Sequence, residues 1–315
     1  MIQLVAWRLI AAIPVLLVVA VSVFCLVRIA PGDVASLIAG DTATVEQIEA
    51  IRKQMHLDDP MLTQFAVWLS GICRGEWGTS VFTGRPVLRL ISERIEPSLL
   101  LAVYSLALAT LIAIPLGVMA AAFRRTAIDR LAMFVSLIGF STPVFVIAYA
   151  LVYVFSIQLR WFPVQGYAPV SQGFASNLST LALPAVTLAL VHSALVARVT
   201  RAAMAEVLLE EYIRSAKAKG ISFLRVILFH ALKNAGIPIV TVIGLGFASL
   251  IGGVVVTESI FNIPGLGRLT VDAILRRDYP VVQGVLLFCA LLLVGTNIVV
   301  DITYPHFDPR LRRVR

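Results

Sequence analysis

Apolar runs of membrane length alternate along this chain with short charged stretches. The first lies between Arg8 and Arg28, where 19 residues carry no charge. Pro97–Phe123 and Leu131–Leu159 are uncharged as well, and so are Leu178–Ala197, Ala235–Val256 and Tyr279–Val300. About 20 apolar residues suffice for one helical crossing of a bilayer, so the pattern predicts six membrane helices. Pro115 and Pro143 fall inside two of them, where neighbouring helices can satisfy the carbonyls that a proline frees. The first run follows a basic residue, as a secretory signal would. No clean small-x-small cleavage site follows it and five more spans do, so it reads as an uncleaved first helix.

Two polar segments interrupt the series. Residues 31–96 form an insertion between the first and second spans. From Asp33 to Glu96 it holds nine acidic and six basic residues, with Trp68 and Trp77. Helices are expected at Val45–Met55 and Met61–Cys73, giving either a folded outer cap or a solvated loop. The second segment, 198–234, is too long for a simple connector, since helix connections in compact bundles take about 2–8 residues. It predicts two short helices with Gly220 in a left-handed turn between them. Lys217 and Lys219 favour the end of the first helix, and Ser222 is placed to cap the second. The residues alone allow two readings, an amphipathic pair lying on lipid headgroups or a docking element for a soluble partner.

Composition supports the membrane reading. Hydrophobic residues make up 59% of the 315 and charged ones 14%, against roughly 25% charged in soluble domains. The domain organisation is then a first transmembrane helix at 1–30, the 31–96 insertion, a core transmembrane domain at 97–304 and a tail at 305–315. The net charge of +8 is better explained by topology than by nucleic acid. With the N-terminus inside, the inner segments carry 15 Lys and Arg against six acids, while the outer ones are nearly balanced. The positive-inside rule therefore places both termini in the cytoplasm. Cys25, Cys73 and Cys289 form no metal pattern. His56, His192, His230 and His306 are scattered, and His192 reads as a helix–helix donor. Small residues at Gly117–Ala121, Gly244–Gly246, Gly252–Gly253 and Gly295 suit close helix packing. No Gly-x-x-x-x-Gly-Lys-Ser/Thr occurs, so an ATP-binding P-loop is not expected in this chain.

Several strings carry a resemblance. Tyr212-Ile-Arg-Ser-Ala-Lys-Ala-Lys-Gly220, then His230-Ala-Leu-Lys-Asn234 and Ile237-Pro238, resemble the coupling loop of ABC importer permeases of the dipeptide/oligopeptide/nickel type. Ala30-Pro-Gly-Asp33, Thr257-Glu-Ser-Ile-Phe-Asn-Ile-Pro-Gly-Leu-Gly267, Arg277-Asp-Tyr-Pro280, Asp301 and Asp308-Pro-Arg310 follow in the order of the B-type permeases of that family. The general importer signature begins Glu-Ala-Ala where this chain has Arg214-Ser-Ala216. Many relatives end it in proline where this chain has Lys233. The peptide branch is similar to this chain in both respects.

The resemblance implies an all-α, six-helix type I ABC importer transmembrane domain in the bacterial inner membrane, surrounded by lipid. It implies a homologous second permease, two cytoplasmic ATPase subunits that bind ATP and Mg, and an extracytoplasmic substrate-binding protein. Arg214, Ala216, Lys217, Gly220 and Arg225 are the coupling candidates. Glu258, Pro264, Gly265 and Gly267 are candidates for an outer gate or pathway. Glu258 also has a structural reading, as an interfacial carboxylate paired with Arg268 or Arg277. Di- and oligopeptides are the expected cargo, with nickel chelates, glutathione or another small solute as alternatives. A secondary transporter would carry ionisable residues or broken helices near the midplane, and the span interiors here are nearly free of charge. An intramembrane enzyme would need a catalytic Ser/His, paired Asp or metal set within the spans, and none is visible.

Overall fold

The computed structural model describes residues 2–29, 44–46, 49, 52 and 58–307. The helix expected at Val45–Met55 and the motifs at Ala30–Asp33 and Asp308–Arg310 therefore lie mostly or wholly outside the described residues. Among the described residues the chain is helical, with one isolated bridge between Thr79 and Pro86. In order the helices are α1 (Ile2–Ile29), α2 (Met61–Arg74), α3 (Val87–Ala122), α4 (Ala127–Ser141), α5 (Val144–Leu151), α6 (Phe174–Val207), α7 (Glu211–Ala218), α8 (Phe223–Asn234), α9 (Gly236–Gly253), α10 (Val255–Ile260), α11 (Leu266–Leu275) and α12 (Tyr279–Phe307).

Four helices, α1, α3, α6 and α12, are each long and apolar enough to cross a membrane. Two bent pairs bring the number to as many as six if each counts as one span. In the first, α4 and the continuation of α5 to Gln158 meet at 98°. In the second, α8 and α9 meet at 63°. The expected third span is thus not one straight helix. It breaks at Thr142–Pro143, because a proline starts the next helix and its ring disfavours helical backbone at the residue before it. Beyond α5 the chain continues as a π-helix, Val152–Gln158. The second and fourth expected spans are longer than hydropathy drew them. α3 begins at Val87 and takes in the last ten residues of the insertion, and α6 runs through Arg198 and Arg201 to Val207. Charges ended the hydropathic runs there, but neither arginine nor glutamate disfavours a helix.

The chain divides into two compact units. One contains Met1–Trp7, Glu96–Arg268 and Leu292–Arg315, and the other Arg8–Ile95 and Leu269–Leu291. The insertion is thus grouped with most of the first span and the start of the last, a different partition from the sequence-based one. In the second unit Phe24 of α1 meets Phe65 and Trp68 of α2 at ring separations of 5.2 and 5.7 Å. Gly75, at φ 87°, ends α2. The chain then makes a tight turn that Asp278 clips from the base of α12. Ser80 Oγ donates to its carboxylate at 2.5 Å and the Val81 N–H donates at 3.2 Å. Trp77 packs edge-on to Phe288 of α12.

In the first unit α6 is the central post, against which α4, α5 and α9 pack. One apolar core gathers Leu101, Leu181, Leu188, Leu250, Phe261 and Ile263. Another, towards the far end of α6, gathers Met204, Ile213, Val226, Ile227, Ala231 and Ile239. Gly117 lets α3 approach α6 closely: a Cβ there would lie 2.6 Å from the Ala197 carbonyl oxygen and from Thr200. At the start of α4, Asp129 accepts a fork of hydrogen bonds from Arg201 of α6, at 2.5 and 2.8 Å, and a third from the Arg125 N–H. Outward-facing aliphatics such as Leu131 of α4, 64% exposed, stand as lipid-facing positions should.

Candidate functional site

Residues 208–235 fold as expected in outline: a short helix, a glycine turn and a second helix. α7 closes in a hydrogen-bonded cap, with Gly220 N–H donating to the Lys217 carbonyl and Ile221 N–H to that of Ala216. The cap requires a left-handed residue, and Gly220 supplies it at φ 76°, a backbone conformation that residues with a side chain rarely adopt. Lys217 lies in the last turn of α7, where it complements the helix dipole, and its ammonium sits 5.9 Å from the centre of the Phe223 ring. Ser222 occupies the cap position of α8 but makes no side-chain capping bond. Tyr212 of α7 and Asn234 of α8 join across the pair through a 2.8 Å hydrogen bond.

The five coupling candidates separate into two kinds. Arg214, Lys217, Gly220 and Arg225 are exposed, whereas Ala216 is 8% exposed and packs inward with Ile213, Val226 and Ile227. Ala216 therefore holds α7 on the bundle rather than presenting itself to a partner. Sequence reasoning missed the apolar side of the outer face. Leu209, Tyr212, Phe223, Leu224, Leu228 and Phe229 are all exposed, Leu224 by 66% and Phe229 by 70%. The signal was the doublets Phe223-Leu224 and Leu228-Phe229, five residues apart and separated by the buried doublet Val226-Ile227.

The outer candidates converge on one buried carboxylate. Glu258 has no exposed surface. Its Oε1 accepts a 2.5 Å hydrogen bond from Ser98 Oγ, and its Oε2 accepts one at 2.8 Å from the Arg268 N–H. Ser98 in turn accepts from the Leu266 N–H at 2.7 Å. Two backbone donors in the first turn of α11 are thus satisfied, one directly and one through serine, and the carboxylate stands where a helix favours negative charge. Burying a carboxylate is costly unless it is hydrogen-bonded, and these contacts offset that cost. They also explain the glycines that follow. A Cβ on Gly265 would lie 2.0 Å from Glu258 Oε1, and one on Gly267 would lie 2.8 Å from a Val255 methyl. Pro264 sits between them in the turn, half-buried. Glu258 thus meets the backbone of Arg268. The Arg268 guanidinium reaches the Asn262 side chain.

A second clasp holds the connection between α5 and α6. Gly166 N–H donates to the Phe261 carbonyl and Gln165 to that of Ile260. Tyr167 donates to Glu96 at 2.9 Å, Tyr104 to Asn177 at 3.0 Å, and Asn177 to the Ala168 carbonyl at 2.7 Å. Burial, and then the neighbouring Glu96 carboxylate, push the Tyr167 phenol well above its ordinary range, so it remains a donor. Two apolar grooves flank α3. One, of about 780 Å³, is lined by residues including Tyr104, Leu111, Phe162 and Leu178, and the other, of about 610 Å³, by Val103, Leu106, Leu111 and Phe247. Neither is lined by a charged side chain.

The chain matches two family models. Residues 113–313 match the binding-protein-dependent transport system inner membrane component, and residues 1–102 match the N-terminal domain of such membrane components. It is 49% identical over 305 residues to the probable peptide ABC transporter permease protein y4tP of Sinorhizobium fredii, covering 97% of each chain. It is 41% identical over 312 residues to the glutathione transport system permease protein GsiC of Escherichia coli, covering 99% of each. With both family models covering most of its length, this chain belongs to the family of binding-protein-dependent transport system inner membrane components.

Proposed function

We propose that this protein is one permease of an ATP-driven importer for di- and oligopeptides and forms half of the translocation pathway. It works with a homologous second permease, two ATPase subunits and an extracytoplasmic substrate-binding protein. It resides in the bacterial inner membrane with both termini in the cytoplasm, as the loop charges favour. The observation that carries the reading is the outer face of α7–α8, where exposed Leu224 and Phe229 stand beside exposed Arg214, Lys217 and Arg225. Apolar anchors rimmed by charge are the usual composition of a protein–protein contact. ATP and Mg bind in the ATPase partners. Closure of the ATPase pair drags α7 and α8, the permease halves rock against each other, and access to the pathway alternates. The Glu258–Ser98 clasp makes α10, its turn and the start of α11 move as one block, in keeping with an outer gate.

Peptide cargo is favoured by the relative named for peptide transport at 49% identity, with glutathione second through the relative at 41%. The uncharged groove walls along α3 suit a permease that leaves selection to its binding protein. Deleting Ser215–Ser222 tests the docking role. The variant should insert into the membrane and lose its ATPase subunits on purification, and retention of them would refute it. Uptake of labelled dipeptides, tripeptides and glutathione by cells expressing the complete transporter tests the cargo. Glutathione uptake without peptide uptake would reverse the order.

A further inference from the structure

The second helix of the α7–α8 pair is not a regular α-helix. Phe223–Arg225 and Leu232–Asn234 are α-helical, but Val226–Ala231 between them is wound as a π-helix. The sequence fits the wider turn. Val226 and Ile227 are buried together with Ala231, a spacing of five and four, and on the opposite side exposed Leu224 and Phe229 are also five apart. An α-helical turn would place a different set on each side. Under Ala231 it would bring Ile227 and Leu228 to the core, and under Phe229 it would bring Arg225 in place of Leu224. Three consecutive aliphatics, Val226-Ile227-Leu228, satisfy the core in either winding.

We infer that the π segment is a two-register device, through which the state of the docked ATPase is converted into a one-residue shift of the helix that carries the docking face. In the π register the outer face is the Leu224–Phe229 pair. In the α register it is Arg225 beside Phe229, so an apolar contact gives way to a charged one. The shift amounts to about 100° of rotation and about 1.5 Å of translation for the residues before the π turn. The two ends of the device are fixed differently. Asn234 is tied to Tyr212 of α7 and to the His230 carbonyl, so the end nearer α9 stays put. The other end leads into the turn Gly220-Ile221-Ser222, where Gly220 is exposed and a Cβ would meet nothing within 4 Å, and it can absorb one residue of slack. π turns are rare and concentrate where helices act.

The inference rests on the docking reading above, and its test separates the two. The native cysteines are first replaced by serine in the complete transporter. Ala216→Cys is then paired with Val226→Cys in one variant and with Leu228→Cys in another. Each is treated with a short thiol cross-linker in the resting state and after trapping with ATP and vanadate. The expected result is cross-linking of the 216–226 pair at rest and at least a fivefold shift towards the 216–228 pair on trapping. An unchanged pattern with the ATPases still bound overturns the register device and leaves docking intact. Retention of the ATPases by the chain lacking Ser215–Ser222 overturns docking itself. In single-cysteine variants, maleimide should label Leu228→Cys faster at rest and Val226→Cys faster after trapping. Labelling of Val226→Cys that never rises also overturns the device.

Discussion

Glu258 carries two readings from the sequence, an outer-gate or pathway residue and a structural carboxylate paired with Arg268 or Arg277. An acidic group in a membrane domain invites a reading as a pathway residue. Here it is enclosed by Ser98 and by the backbone at the start of α11. Removing one partner of a buried charged hydrogen bond costs more than the bond itself is worth, because the other partner is stranded. Glu258→Ala should therefore lower stability by about 3 kcal/mol, and Glu258→Gln by less, as read from thermal unfolding in detergent. Gly265→Ala should be as damaging as Glu258→Ala, since its methyl would occupy the carboxylate's place. Combining Gly265→Ala with Glu258→Ala should recover part of the loss, a non-additivity that contact between the two requires. The string Thr257–Gly267 marked these residues in the sequence. Ser98 was illegible, because it lies 160 positions from Glu258 and nothing local announces it. Asp129 and Arg201, 72 apart, were hidden in the same way, and each read alone as an ordinary inner-surface charge.

Elements were legible where one physical signal sets them. The glycine turn at 220 followed from the need for positive φ, and α2 was expected at Met61–Cys73, one residue short of its end. Boundaries were not, because hydropathy reports the length of apolar surface rather than the length of helix. α6 continues for ten residues past Ala197, since Arg198 and Arg201 are good helix formers and the Arg201 guanidinium is held by the Asp129 carboxylate. The bend between α4 and α5 is set by one proline, and its 98° angle has no counterpart in composition. The clip on the turn at 79–86 belongs to this scale. Asp278→Ala removes the acceptor for Ser80 and for the Val81 N–H. The turn should then open, and chymotrypsin should cut at the exposed Phe82 at least several-fold faster than in the unaltered chain. Equal cleavage rates would show that the bridge between Thr79 and Pro86 holds the turn unaided. The same logic applies to Arg201→Met, which strands the Asp129 carboxylate and should lower stability by about 3 kcal/mol in the same thermal assay.

At the scale of the molecule, the exposed faces are as informative as the cores. Bilayer lipid accounts for the aliphatics on α1 and α4, while under the proposed function Leu224 and Phe229, exposed as are Arg214, Lys217 and Arg225, are covered by the ATPase. A second protein covering that surface accounts for both the anchors and the rim. The decisive measurement is made on the whole transporter, tagged on this chain and reconstituted in lipid nanodiscs. Co-eluting ATPase and cargo-stimulated ATP hydrolysis are compared between the unaltered chain and the double substitution Leu224→Asp, Phe229→Asp. The expected result is an undiminished amount of inserted permease, with at least a tenfold loss of bound ATPase and of stimulated hydrolysis. A doubly substituted transporter that keeps its full complement of ATPase and its stimulated hydrolysis would contradict the docking of the motor on α7–α8.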